Sequence, residues 1–161
     1  MDASAKGRPS IRIAGARDSE AIARLFRFVR TECLPFLPTL HTPEEDAEYF
    51  SGLVSASAVF VAGLRGEVVA FVAHRDGWLE HLYVHPLHQR RSIGGALLAR
   101  AMESNGELML WVFQRNVAAI AFYERAGFRL VRVTDGLANE EREPDALYTW
   151  QRPAHHENGR K

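Results

Sequence analysis

Hydrophobic positions along the chain switch between two periods. Residues 11–13 alternate, as in a strand, and the next apolar positions, Ile22, Leu25, Phe26 and Val29, share one face of a helix that Asp18 is placed to cap. The run Leu34-Pro35-Phe36-Leu37-Pro38 breaks that helix. Thr42 as cap, Pro43 at the first helical position and Glu45 closing a capping box then start a second helix that reaches about Val54.

Three extended segments follow at residues 59–62, 68–73 and 78–84, joined at Arg65-Gly66 and Asp76-Gly77, where glycine supplies positive φ. They read as an antiparallel meander. After His85-Pro86 the period returns to that of a helix, with Leu97, Leu98, Ala101 and Met102 inward and a stop near Asn105-Gly106. Residues 108–112 are continuously apolar and read as a strand buried on both faces. Asn116 caps a last helix that ends at Gly127, and residues 128–133 and 146–151 close the chain as strands. The order is β-α-α-β-β-β-α-β-α-β-β, an α/β (α+β) domain with a mixed sheet in which strand–helix–strand crossovers join parallel central strands.

Composition narrows the function without choosing it. The 161 residues suit one domain over residues 10–152, with a disordered lead at 1–9 and a polar tail at 153–161. Twenty Lys and Arg balance twenty Asp and Glu, so no net field favours nucleic acid or an anionic membrane, and the expected partner is a small molecule. No stretch approaches the roughly 20 apolar residues of a membrane span and no signal-like segment opens the chain, so the expected location is cytoplasmic. Cys33 is the single cysteine and reads as a buried, inert thiol.

The candidate chemistry lies where the third meander strand passes into a helix. Compact residues there leave backbone N–H groups uncovered, the helix N-terminus adds partial positive charge, and Arg90 and Arg91 add cationic reach, an arrangement suited to a pyrophosphate. An ordinary tight turn with solvated arginines is the alternative. Glu80 and His81 precede the turn on one strand, on opposite faces if the strand is regular, and either is a candidate base. His81, His85 and His88 are not expected to hold a metal, because the path splays them and no carboxylate or cysteine completes a set. A Gly-Lys-Ser/Thr phosphate loop and a Gly-x-Gly-x-x-Gly turn are both lacking.

Gln89-Arg90-Arg91-Ser92-Ile93-Gly94 resembles the signature of the GCN5-related N-acetyltransferase (GNAT) superfamily: Gln or Arg, two residues, Gly, one residue, then Gly or Ala, between a strand and a helix. Leu82-Tyr83-Val84-His85-Pro86 is similar to that family's fourth strand and its exit, and residues 116–128 are similar to its second motif. Ser92 departs from the pattern, standing where the family usually has its first glycine.

The resemblance implies a mostly antiparallel sheet of about seven strands flanked by about four helices. It also implies transfer of an acetyl group from acetyl-CoA to a primary amine by direct attack on the thioester. On the same basis the acyl-CoA would be held by Leu82, Tyr83, Val84, Gln89, Arg90, Arg91, Ser92, Ile93, Gly94, Gly95, Ala96 and Asn116. Tyr123 would be the acid for the leaving sulfur, and Glu80 the favoured base, with His81 its rival. The acceptor is expected to be a small amine or amino-acid-like molecule, chosen by the segments at 36–42 and 134–145. The second of these is acidic and reads as a solvated loop, with reception of a cationic amine as the alternative. A protein or peptide acceptor, and a non-catalytic acyl-CoA sensor, remain open, and family members are frequently homodimers.

Overall fold

In the computed structural model, which describes residues 7–154, the chain runs β1 (Ser10–Ile13), α1 (Ser19–Cys33), α2 (Pro43–Ala56), β2 (Ala58–Leu64), β3 (Glu67–Arg75), β4 (Trp78–Val84), α3 (Ile93–Glu103), β5 (Glu107–Phe113), α4 (Val117–Arg125), β6 (Arg129–Val133) and β7 (Asp145–Gln151). Most of the lead and tail expected to be unstructured lies outside the described residues. Short 3-10 turns at Ala16–Asp18 and Pro86–His88 precede α1 and follow β4. The sheet order is β1-β2-β3-β4-β5-β7-β6. Among the described residues only β4 and β5 pair in parallel, because β7 inserts antiparallel between β5 and β6. The expected parallel centre is therefore reduced to one strand pair.

Both hairpins of the meander turn tightly. Arg65 and Gly66 have φ of 52° and 82°, and Asp76 and Gly77 of 52° and 78°. Two successive positive φ values match the right-handed twist of the flanking strands. The sheet carries one apolar cluster on each face. Leu97, Leu98 and Ala101 of α3 pack with Val72, Leu108, Leu110 and Tyr148 on one side. Ile22, Leu25 and Val29 of α1 pack with Phe50, Val61 and Phe71 on the other.

Four local expectations are corrected. Asp18 does not cap α1; it closes the 3-10 turn, its carboxylate accepting from the Gly15 N–H at 2.7 Å and from the Arg12 guanidinium at 2.7 and 2.8 Å. Thr42 does cap α2, accepting from the Glu45 N–H, but the Glu45 carboxylate turns to His41 instead of completing a capping box. Cys33 is exposed, because α1 runs out there and Leu34, not Cys33, turns into the core. β5 is buried on one face only: Leu108, Leu110 and Val112 are covered, whereas Trp111 is 43% exposed.

Candidate functional site

The site begins with a parting of strands. β4 pairs with β5 at Trp78 and Met109, supported by the Met109 N–H donating to Gly77 O at 2.8 Å, and among the described residues no further pairing joins the two. Towards Val84 the edge of β4 that faces β5 is thus left without a strand, and Trp111 borders the gap from the other side. Backbone polar groups on such an edge need a partner from a ligand or water.

A bulge on the opposite edge decides which β4 side chains face this gap. Ala73 of β3 pairs with His81 and the next residue, His74, pairs with Leu79, so Glu80 is an extra residue in β4. Alternation is interrupted at that point. Leu79 joins the α3-side cluster, while His81 packs against Phe26, Phe50 and Phe71 of the α1-side cluster. Glu80 and His81 both line one cleft of about 510 Å³, together with Tyr83 and Trp111, contrary to the expectation from a regular strand that they point apart.

The two candidate bases differ in electrostatics. Burial, reinforced by the Arg30 charge, pushes the His81 imidazole down to about 4, so it is neutral near pH 7. Its Nε2 lies 2.9 Å from the Tyr49 hydroxyl. Glu80 lies 3.3 Å from Arg75 Nε and accepts from the Ser57 hydroxyl at 3.2 Å. Tyr49 and Trp111 are site residues that sequence reasoning missed. Neither lies in a recognisable motif, and the exposed face of Trp111 was hidden by the continuous apolar run of β5.

The turn after β4 has the form expected of an anion site. Gln89 Nε2 donates to Val84 O at 3.1 Å, tying the turn to the strand end. Arg90 and Ser92 both adopt left-handed backbone, with φ of 62° and 63°. Such residues within a turn curl successive N–H groups into a concave nest. Ala96 N–H is the first to bond back into α3, reaching Ser92 O at 3.0 Å. The N–H groups of Ile93, Gly94 and Gly95 have no protein acceptor among the described residues. Gly95 has no heavy atom within 4 Å of where a Cβ would stand. The departure at Ser92 is thus foremost a backbone matter: glycine adopts this φ freely, and serine does so at a cost of about 1–2 kcal/mol.

α4 flanks the same place. A Cβ on Gly94 would stand 3.5 Å from Val84 Cγ2 and 3.6 Å from Phe122 Cζ, so the end of β4, the start of α3 and α4 converge there. Asn116 caps α4, its Oδ1 accepting from the Ala119 N–H at 3.3 Å, while its Nδ2 makes no hydrogen bond among the described residues. Tyr123 packs edge-on against Phe122 and Phe128. Its hydroxyl also lacks a protein partner among the described residues, and it does not line the cleft that holds Glu80. Burial, with a further contribution from Tyr83, raises its pKa and keeps it a donor.

The two segments expected to select the acceptor meet across the cleft. Thr39, Leu40 and His41 line it from one side, and Glu140 and Glu141 from the other. The acidic loop is not a solvated run. Arg30 donates to Glu141 at 3.1 Å, Asn139 bonds Glu143 O and the buried Asp145, and the Thr134 hydroxyl donates to Asp145. Among the described residues no group of three or more His, Cys, Asp or Glu is arranged to hold a metal ion.

The model of the acetyltransferase (GNAT) domain matches residues 55–130, the stretch that contains β4, the nest, α3 and the whole of α4. Residues 55–130 are similar to the GNAT acetyltransferases. The chain is 39% identical over 67 residues to the peptidyl-lysine N-acetyltransferase YiaC of Escherichia coli (strain K12), covering 41% of this chain and 46% of that one. It spans about half the length of the curated relatives it matches. The fold aligns with that of yncA from Salmonella typhimurium, solved with its cofactor acetyl-CoA, at a TM-score of 0.72 and 18% identity, over 92% and 96% of the two chains. It aligns with the ribosomal-protein-S18-alanine N-acetyltransferase of Escherichia coli at 0.69 and 20%, over 96% and 100%. At these identities the structural matches establish the GNAT fold alone, and it is the seven-stranded, mostly antiparallel sheet with four helices expected from the sequence.

Proposed function

We propose that this chain, with residues 10–152 as its single catalytic domain, moves the acetyl group of acetyl-CoA to a primary amine. The observation that carries the reading is the continuity between the strandless edge of β4 and the free amides at the start of α3. An acyl-CoA has an amide-containing arm that can pair with a strand edge and a pyrophosphate that needs N–H donors. The residues present fit both: Leu82 and Val84 offer backbone groups on the open edge, whereas Tyr83 turns its own towards β3, and the turn from Gln89 to Ala96 offers the nest, with Arg90 and Arg91 beside it. The acyl-CoA supplies an activated thioester, and no covalent enzyme intermediate is required.

The remaining tasks fall to side chains. Glu80 takes the proton from the acceptor ammonium, directly or through water, and its charge attracts that ammonium. His81 is the weaker candidate, because a neutral imidazole does not attract the ammonium and its Nε2 already faces the Tyr49 hydroxyl. Tyr123 is held protonated by burial and offers its hydroxyl to the departing sulfur. Asn116 has its Nδ2 left over from capping and offers it to the arm.

The cleft wall favours a cationic acceptor. Glu45, Asp46, Glu80, Glu140 and Glu141 line it against Arg27 and Arg30. A free carboxylate on the acceptor would meet this excess of negative charge, so a small amine is preferred to an amino acid. A lysine side chain of a peptide is a second reading, supported by the similarity to a peptidyl-lysine N-acetyltransferase.

Thiol release from acetyl-CoA over a panel of small amines, amino acids and lysine peptides tests the proposal. Turnover should be found with a cationic amine, and Tyr123→Phe should lower kcat at least tenfold while leaving acetyl-CoA affinity nearly unchanged, as expected for loss of a general acid. Binding of acetyl-CoA without turnover on any amine would instead make the chain a sensor.

A further inference from the structure

The segment between α1 and α2 and the loop between β6 and β7 are far apart in sequence, yet they meet at one side chain on the rim of the cleft. His41 Nδ1 lies 3.0 Å from Glu45 Oε2, and Nε2 lies 2.6 Å from Glu140 Oε1. The His41 backbone is itself fixed, its carbonyl accepting from Arg27 Nη2 at 2.6 Å while Arg27 Nε holds Asp46 at 3.0 Å. Next to Glu140, Glu141 is held by Arg30.

A neutral imidazole has one N–H and one lone pair, so it can satisfy only one of these two carboxylates. The other contact would set a lone pair against a carboxylate oxygen at 3.0 Å or less. Imidazolium donates from both nitrogens and satisfies both. The bridge between the two segments is complete only when His41 carries a proton.

We propose that His41 is a proton-operated latch: when charged it fastens the β6–β7 loop to the start of α2 over the acceptor end of the cleft, and so sets acceptor affinity. This rests on the reading of the cleft as an acceptor site. His41 is a positioning residue in that scheme, acting through the placement of Glu140 and Glu141.

The charged groups packed around His41 are Glu45 and Asp46 of α2, Arg27 and Arg30 of α1, and Glu140 and Glu141 of the loop. Imidazole is the side chain of this group whose ordinary titration range falls near neutral pH. Its hydrogen bond to Glu45, together with the charge of Glu140, raises its pKa above the ordinary 6.5. The latch is therefore complete below about pH 6.5 and opens as the pH rises through that higher folded value.

Hydrogen exchange of the backbone amides at 134–145, corrected for intrinsic rate, tests this from pH 6 to 9 in the wild type, His41→Gln and His41→Arg. Protection should fall with pH in the wild type, be low and flat in His41→Gln, and be restored and flat in His41→Arg, whose charge is permanent. The acceptor KM should rise roughly two- to fivefold over the same range in the wild type, in keeping with the strength of a half-exposed ion pair, with kcat little changed. Flat protection in the wild type, or a wild-type profile in His41→Gln, would overturn the latch. A pH-dependent latch in a chain that acetylates no amine would overturn the acyltransferase reading and leave the latch standing; turnover with flat protection would do the reverse.

Discussion

Replacing Gly136 by alanine should open the acceptor side of the site. Gly136 has φ of +81°, and a Cβ there would stand 2.3 Å from both the carbonyl carbon and the oxygen of Glu143 and 2.7 Å from Pro144 N. Ordinary contact begins at 3.4 Å, so the facing peptide must retreat by about 1 Å. That peptide is held fast: Pro144 O accepts from Gln114 N–H at 2.9 Å, Glu143 O from Asn139 Nδ2 at 2.7 Å, and Glu143 N–H donates to Asn139 Oδ1 at 3.2 Å.

Losing two such hydrogen bonds costs about 2 kcal/mol, and left-handed backbone for alanine costs about 1–2 kcal/mol more. A total of about 3–4 kcal/mol corresponds to a fall in Tm of roughly 10 °C for a domain of this size. Gly66→Ala is the control, since Gly66 has φ of +82° but nothing within 4 Å of its Cβ position. It incurs the backbone term alone, about 1–2 kcal/mol. Scanning calorimetry of both variants reads the difference, and steady-state kinetics of Gly136→Ala should show a raised acceptor KM with unchanged acetyl-CoA affinity. Equal Tm shifts for the two variants would refute the steric argument.

Ser92→Gly relieves about 1–2 kcal/mol of left-handed strain but loosens the unfolded chain by about 0.5–1 kcal/mol, so a net gain of about 0.5 kcal/mol is expected, read by urea denaturation, with acetyl-CoA affinity within threefold of wild type. Glu80→Gln should lower kcat by about a hundredfold or more with acetyl-CoA binding unchanged; retention of the wild-type rate and of the acid limb of the pH–rate profile would remove Glu80 as base. Hydrogen bonds from Arg12 hold the Asp18 carboxyl at about 2. Its contribution, on the order of 2 kcal/mol before screening at the half-exposed Arg12, is present above about pH 4 and lost as pH falls through 2, so the urea midpoint of Asp18→Asn should be less acid-sensitive than that of the wild type.

Local chemistry was legible in the sequence wherever it acts alone. Arg65-Gly66 and Asp76-Gly77 announced their hairpins, Thr42-Pro43 and Asn116 their helix starts, and the spacing of Leu97, Leu98 and Ala101 the face of α3. The nest could be located for the same reason, since its N–H groups belong to consecutive residues. What stayed hidden depends on a partner. The bulge at Glu80 exists only in the register of β4 against β3, and without it alternation separates Glu80 from His81. The open face of β5 depends on the parting from β4, which the apolar run 108–112 does not encode. The acidic loop looked solvated because its cations, Arg30 and His41, lie about a hundred residues away. Cys33 was misplaced through a general preference of cysteine for burial, which the end of α1 overrides.

The central claim is that the edge of β4 and the amides of Ile93, Gly94 and Gly95 hold an acyl-CoA by its arm and pyrophosphate. Calorimetric titration with acetyl-CoA and with S-acetylpantetheine, which lacks the pyrophosphate, tests it directly. Acetyl-CoA should bind at one site with Kd between about 1 μM and 1 mM, and S-acetylpantetheine at least tenfold more weakly, as the loss of charge-assisted hydrogen bonds requires. No binding of acetyl-CoA at millimolar concentration, or equal affinity for the two, would contradict it.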